Sequence, residues 1–472
     1  MRLAVSLPFL ALVAVASGQK NNTSSSIPAS STPFWFPQPV DHFGLNSSTW
    51  NQQYVYNATF YKPGGPIYIL SPGESSLSNR YTDNSHFNSL AQRTNGLVVA
   101  VEHRFYGKSN PMPDLSGASL KYHTLENVLE DYASFARAAK SAPSKVFAVP
   151  VRTGAKIIFA GGSYSGSLAA LMRTKYPRLV DGAWASSAVV YGRLQNYQFD
   201  QSFGRHLTVL GCGSRFSQAV KDLDIILLSG NETAISEVQT RFGAPPLTPR
   251  DFAGLVSGLI VDYATAPIST TSDPVNVTVC SYFDGTRSDL DSYALAFTEI
   301  TKRMGYTQSA LAQVGDTSLN LDNYALGQSS RTWYYQSCTW YGNWQVAPPQ
   351  HTGFTSYRSQ LDDLTYFQTN CRKKFGSDIK VPVDVEDYNR KWFSTLRGAS
   401  NVYYTTGSLD IWRDSTPATT HGYILPNTPR TPIYVIEGAT HVQDLSGDKP
   451  TDLDSVRQAR ALGDSLVLRW IS

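Results

Sequence analysis

Short unbroken apolar runs, each bounded by glycine, proline or polar residues, recur in two separate stretches of the chain. The first stretch holds Pro66–Leu70 (PIYIL), Gly96–Val101 (GLVVAV), Lys156–Ala160 (KIIFA) and Gly182–Ala185 (GAWA). The second holds Asn401–Thr405 (NVYYT) and Pro432–Ile436 (PIYVI). Continuous hydrophobicity, as opposed to alternation, predicts strands covered on both faces, as in a parallel sheet. Between the runs the period changes. Leu125–Ala139 puts Leu125, Val128, Leu129, Tyr132 and Phe135 on one helical face, and Asp452–Trp470 reads as a closing helix. Strands alternating with helices predict an α/β fold.

From about residue 190 to 395 the strand signals lapse, and helix-compatible segments such as Phe216–Leu228 and Leu290–Met304 replace them. All four cysteines, Cys212, Cys280, Cys338 and Cys371, fall in this stretch. It reads as an insertion capping the sheet, stapled because it lacks a large core of its own. Three disulfide pairings are open, and 212–280 with 338–371 is favoured because it closes short local loops. The spacing is not that of a zinc site and no C-x-x-C occurs, so neither metal nor cofactor is expected. The expected organisation is a leader over 1–18, a polar arm over 19–33, a first core segment over 34–190, the capping insertion over 191–395 and a second core segment over 396–472.

Composition changes the picture mainly at the amino end. Met1-Arg2, the apolar stretch Leu3–Ala16 and the small residues Ala16-Ser17-Gly18 have the pattern of a secretory signal peptide. That stretch is too short for a comfortable membrane span, and no membrane partner is expected. Residues 19–33 (QKNNTSSSIPASSTP) read as a flexible arm. Asn21, Asn22, Asn46, Asn57, Asn231 and Asn276 open N-x-S/T triplets, candidates for glycosylation on an exported chain. A secreted protein, or one of a vacuolar or lysosomal lumen, is the expectation. A formal charge of +3 over 472 residues gives no basic footprint for nucleic acid. The oligomeric state stays open, a homodimer being the one oligomer considered.

Candidate chemistry centres on GGSYSG (Gly161–Gly166), which directly follows the KIIFA strand. A serine on a tight strand-to-helix turn needs small residues two places before and after it. Ser163 has Gly161 and Ser165 there; Ser165 fits less well and lies deeper in the expected helix. Serine needs a base, and the base needs an orienting carboxylate. His206, His351, His421 and His441 follow Ser163, and only His441 comes shortly after a strand (PIYVI, then EGATH) in the place a base belongs. Asp410 follows NVYYT in TTGSLDIW, with Asp414 as the fallback. Backbone N–H donors for an oxyanion are expected from Tyr164 and from SPGESS, where Gly73 and Glu74 are the candidates. The Glu74 carboxylate has an alternative use, pairing with the free amine of a peptide. Glu102, His103 and Arg104, in EHRFYGKSNP, would be costly to bury unpaired and predict a hydrogen-bonded network behind the sheet end.

Together these motifs resemble the serine peptidases of the prolyl carboxypeptidase and dipeptidyl peptidase II family, which includes secreted fungal prolyl endopeptidases. EHRFYGKSNP is similar to the family's E-H-R-Y/W-x-G-x-S-x-P, and GGSYSG to its G-G-S-Y-x-G. TTGSLDIWRD and GATHVQDL resemble its acid and base motifs, and WYYQSCTW (Trp333–Trp340) its aromatic-Gln-x-Cys segment. The resemblance runs from about residue 35 to the end. It implies an α/β-hydrolase core with a largely helical, SKS-type cap inserted before the catalytic Asp. It also implies a Ser163–Asp410–His441 triad acting through an acyl-enzyme on peptide or protein substrates next to proline (or alanine), usually favoured in acid. An aromatic pocket would suit a proline ring, with Trp333, Tyr334, Trp340, Trp344 and Trp412 as candidates. Three positions depart from the pattern: Ile411 replaces the proline after the acid, Trp340 replaces a glutamate, and THVQ (440–443) is not the common form around the base. Competing readings are an esterase or lipase on the same fold, and a non-catalytic binding protein.

Overall fold

The computed structural model describes residues 32–44, 46–264, 279–315, 324–419 and 425–472. The expected leader, the expected arm up to residue 31, His421, and the triplets at Asn21, Asn22 and Asn276 therefore lie outside the described residues.

Eight strands form the main sheet: β1 (Phe34–Pro39), β2 (Thr49–Asn57), β3 (Ile67–Leu70), β4 (Leu97–Val101), β5 (Ile157–Gly162), β6 (Gly182–Ser186), β9 (Val402–Gly407) and β10 (Ile433–Ile436). A separate ribbon pairs β7 (Arg193–Gln195) with β8 (Gly342–Trp344) in parallel. The order across the main sheet is β1-β2-β4-β3-β5-β6-β9-β10, parallel except where β2 pairs antiparallel with β1 and β4. The six apolar runs are the six parallel strands. Five of them are interior strands with helices on both faces, so little on them needs to be polar, whereas β10 is the far edge strand and is partly exposed. β1 and β2 escaped the apolar pattern for identifiable reasons. β1 is an edge strand with two prolines, and β2 buries Gln52 and Gln53, the Gln52 side chain donating to the Glu102 carbonyl and accepting from Gln38.

Four helices matter for the site. α1 (His86–Thr94) and α10 (Asp454–Ile471) pack on one face, and α2 (Leu125–Lys140) and α3 (Tyr164–Lys175) on the other. The α2 face expected from the sequence is buried as a unit, and Thr124 caps its start by accepting from Asn127 N–H.

Residues between β6 and β9 form a mainly helical layer that includes α4 (Gln198–Val209), α5 (Gly213–Leu227), α6 (Pro249–Ala264), α7 (Asp289–Arg303), α8 (Ser329–Gln336) and α9 (Leu364–Phe375). Two expectations change here. The layer does contain strands, since β7 near its start pairs with β8. It also has a core of its own: Phe199, Phe203, Phe216, Phe242, Val256 and Phe297 are buried together. Aromatic residues spread over several amphipathic helices built this core without any run that resembled a strand. Cys212 bonds Cys280 and Cys338 bonds Cys371. Within the layer Arg358 is buried between Asp200 and Asp362, which keeps all three ionic groups paired away from water.

Of the glycosylation candidates, Asn231 is exposed at a helix N-terminus, and Asn46 is half-buried. Asn57 does not suit a glycan: it is buried in β2, and its amide nitrogen donates to Asp83 Oδ1.

Candidate active site

Ser163 ends β5 and opens α3 with φ 59° and ψ −130°, a conformation costly for a residue with a side chain. The turn survives because its neighbours are small. A methyl group at Gly161 would stand 2.3 Å from the Ser165 carbonyl oxygen. One at Gly162 would stand 2.2 Å from Val442 Cγ1. The two eligible serines separate here. Ser165 is buried, and its Oγ donates to the Gly162 carbonyl at 2.6 Å and accepts from Gly162 N–H, so it cements the turn. Ser163 is half-buried at the helix start.

His441 and Asp410 come from the loops after β10 and β9. His441 Nδ1 donates to Asp410 Oδ1 at 2.9 Å, and the same oxygen accepts from Trp412 N–H at 2.8 Å. Both side chains are buried. Asp414, the fallback acid, instead meets Arg205 and Ser202 of α4. His441 Nε2 is buried without a hydrogen-bond partner among the described residues. The His441 loop packs against the serine turn, since Gly162 and Val442, the chain neighbours of Ser163 and His441, are in close contact. Burial alone would lower the His441 pKa. The Asp410 charge and hydrogen bond, assisted by Glu74 and Asp444, outweigh it and raise the pKa above the ordinary imidazole value.

The base loop is anchored by residues that the sequence reading did not single out. Val442 has φ 59°, rare for a β-branched residue, and its N–H donates to Ser187 Oγ at 3.0 Å. Asp444 accepts from Trp184 Nε1, Ser186 Oγ and Thr405 Oγ1, which pins the loop to β6 and β9. Its place in GATHVQDL was visible in the sequence, but its partners were not.

Gly73, at φ +66°, turns the SPGESS loop against α3; a methyl group there would meet Ser165 Cβ and Oγ at 3.2 Å. This sets the Gly73–Glu74 turn beside the Tyr164 end of the helix. Burial pushes the half-buried Glu74 carboxyl up to about 7, against the opposing pull of its own backbone N–H and the His441 charge.

The aromatic candidates divide. Trp333 and Trp340 stand around the Tyr164 ring, with centroids 6.0 and 6.1 Å away. Trp340 Nε1 donates to the His123 carbonyl. Trp412 sits two residues past the acid, against Phe199, with a buried and unpartnered Nε1. Tyr334 and Trp344 are not part of this group; they pack with Phe367 around the Cys338–Cys371 disulfide.

The EHRFYG segment forms a buried network. Glu102 accepts from Leu77 N–H, Lys108 N–H and Ser109 Oγ. Arg104 makes a two-point contact with Asp131 of α2 at 2.6 and 2.8 Å and donates to the carbonyls of Val40 and Tyr122. Among the described residues, no group of His, Cys, Asp and Glu is arranged to hold a metal ion, and no helix is long and apolar enough to cross a membrane.

The profile of the family described as serine carboxypeptidase S28 matches residues 38–462. Serine protease vicPb of Bipolaris victoriae is 28% identical over 92% of this chain and 88% of its own length. The putative serine protease pcp-1 of Caenorhabditis elegans is 33% identical over 96% of this chain and 85% of its own. A probable extracellular serine carboxypeptidase of Arthroderma benhamiae is 27% identical over 92% of this chain and 67% of its own.

Proposed function

From the premise that the chain belongs to the serine carboxypeptidase S28 family and is a serine peptidase, we propose that Ser163, His441 and Asp410 are its catalytic triad. The observation that carries this reading is the Asp410–His441 hydrogen bond, which leaves Nε2 buried and unpartnered on a loop packed against the serine turn. With Nδ1–H held by Asp410, Nε2 carries the lone pair that takes a proton. Ser163 Oγ attacks the scissile carbonyl carbon as its proton passes to Nε2. The carbonyl oxygen, now negative, is received by Tyr164 N–H, one of the unpaired donors at the α3 start, and by Glu74 N–H once it leaves its own carboxyl. Collapse of the tetrahedral intermediate breaks the C–N bond, and the departing nitrogen takes the proton from His441. Water then hydrolyses the acyl-enzyme with the same base.

Cleavage next to proline is supported by the aromatic side chains gathered here. Trp333 and Trp340 flank Tyr164, and Trp412 adjoins the acid, offering apolar faces to a pyrrolidine ring. Two disulfides fit an oxidising compartment, in keeping with the secretory pattern of residues 1–18.

Labelling with a fluorophosphonate followed by peptide mapping tests the triad, with mass spectrometry of products from a peptide library as the second arm. The label is expected on Ser163, turnover is expected to be lost in Ser163→Ala with folding intact, and cleavage is expected at proline. Retained peptidase activity in Ser163→Ala would sink the assignment. Cleavage indifferent to proline would leave a serine peptidase of other specificity.

A further inference from the structure

Resting on the reading of Tyr164 N–H as an oxyanion donor, we propose that His103 is a positioning residue that holds this donor in place through the Tyr164 hydroxyl. His103 follows β4 and is fully buried. Its Nδ1 faces the Arg104 carbonyl at 2.7 Å, and since a carbonyl only accepts, Nδ1 carries the proton. Burial lowers the His103 pKa to about 4, so the ring is neutral and Nε2 is an acceptor. Tyr164 OH lies 2.9 Å from Nε2 and donates to it. Tyr164 is the residue after the nucleophile, and its hydroxyl is the far end of a rigid, buried side chain.

The anchor is stiff at both ends. Arg104 cannot move its carbonyl freely, because its guanidinium is clamped by Asp131 and by the Val40 and Tyr122 carbonyls. The Tyr164 ring is flanked by Trp333 and Trp340. The His103 ring is itself held edge-on by Tyr106 and His123, which both donate to Gln336 Oε1 of α8. The EHRFYG segment thereby ties the first residue of α3 to α2 and to the capping layer. A helix start bearing the strained Ser163 lacks such restraint from its own backbone, because its first N–H groups have no intrahelical partners. Displacement of an oxyanion donor by a fraction of an ångström costs transition-state binding while leaving the ground state nearly untouched.

Tyr164→Phe keeps the ring and removes only the hydroxyl. The expected result is a kcat about tenfold lower with KM within about twofold, since losing one oxyanion donor outright costs about 10²–10³. Affinity for a peptide aldehyde, which forms an oxyanion on Ser163, is expected to fall by the same factor as kcat. Affinity for a product peptide is expected to hold. His103→Leu is expected to match Tyr164→Phe, the double variant to be no worse than the poorer single, and His103→Gln, which still offers an acceptor, to recover most of the loss. If His103→Leu fails to fold, Tyr164→Phe with an unchanged melting temperature decides alone. The proposal is overturned if Tyr164→Phe keeps kcat and aldehyde affinity within twofold of the parent, or if kcat and KM move together. Absence of fluorophosphonate label on Ser163 in the parent overturns the triad reading instead, so the two failures are distinguishable.

Discussion

Glu74 and His441 show how two side chains on different loops set one another's chemistry. In the proposed triad His441 must be neutral to accept the Ser163 proton, so kcat/KM is expected to fall as pH drops through its raised pKa. Ionised Glu74 favours the imidazolium and contributes to that rise. Glu74→Gln removes this contribution, and the acid limb of the kcat/KM profile is expected to move to lower pH. A limb that stays put or moves up would show that Glu74 does not act on the base. At this scale the sequence was informative about residue type and order. It singled out Ser163, Asp410 and His441 from strand ends alone, and preferred Ser163 to Ser165 on steric grounds. It could not show that Ser165 Oγ binds both polar backbone groups of Gly162, because this depends on how tightly the turn closes.

The strand–turn–helix element around GGSYSG has a second face that the motif does not advertise. Gly162 is bare because Val442 occupies the space its side chain would need. Gly162→Ala is expected to push Val442, and with it His441, away from Ser163. A misplacement of this kind costs about 10²-fold in kcat, and overpacking lowers stability by about 1–3 kcal/mol. Val442→Ala added to Gly162→Ala is expected to restore most of the activity; no recovery would place the damage elsewhere. Elements themselves were legible where one physical rule acted alone. Interior parallel strands are largely apolar, and α2 shows a clean 3.6-residue period. β1, β2 and the β7–β8 ribbon were not legible. Prolines, buried glutamines and three-residue length remove the pattern that marks a strand, and distant pairing supplies what propensity does not.

Across the whole molecule, His86 joins the amino-terminal half to the carboxyl end. Its Nδ1 lies 2.8 Å from Asp448 and its Nε2 2.8 Å from Asp464 of α10, with Arg460 on Asp448 and Arg93 on Asp464. Two carboxylate partners call for both ring nitrogens to donate, so the ring is held as the cation. Desolvation opposes this, but the hydrogen bonds and charges of the two aspartates prevail and raise the His86 pKa. A raised folded-state value means that this contribution is complete below the ordinary imidazole pKa and is lost as pH rises through the folded one. The Asp448 pKa is depressed, chiefly by its hydrogen bond to His86, so its own contribution is lost only in strong acid. His86→Gln is expected to cost about 2 kcal/mol in mild acid, with the deficit shrinking as pH rises. Melting temperatures across that range check it; a deficit independent of pH would mean that packing, not charge, is what His86 supplies.

By itself the sequence determined the parallel strands, the amphipathic helices, the serine turn and the chain order of the candidate serine, acid and base. Each of these follows from rules acting over a few residues: side-chain period, turn sterics and the position of a residue after a strand. Tertiary structure alone decided which groups meet. Tyr106 reaches Gln336 across 230 residues, and His86 reaches Asp464 across 378. It also drew Trp333 and Trp340 toward Tyr164 while sending Tyr334 and Trp344 to the disulfide. Such pairings depend on how layers stack and on where each buried polar group finds a partner. No local window of residues contains that information.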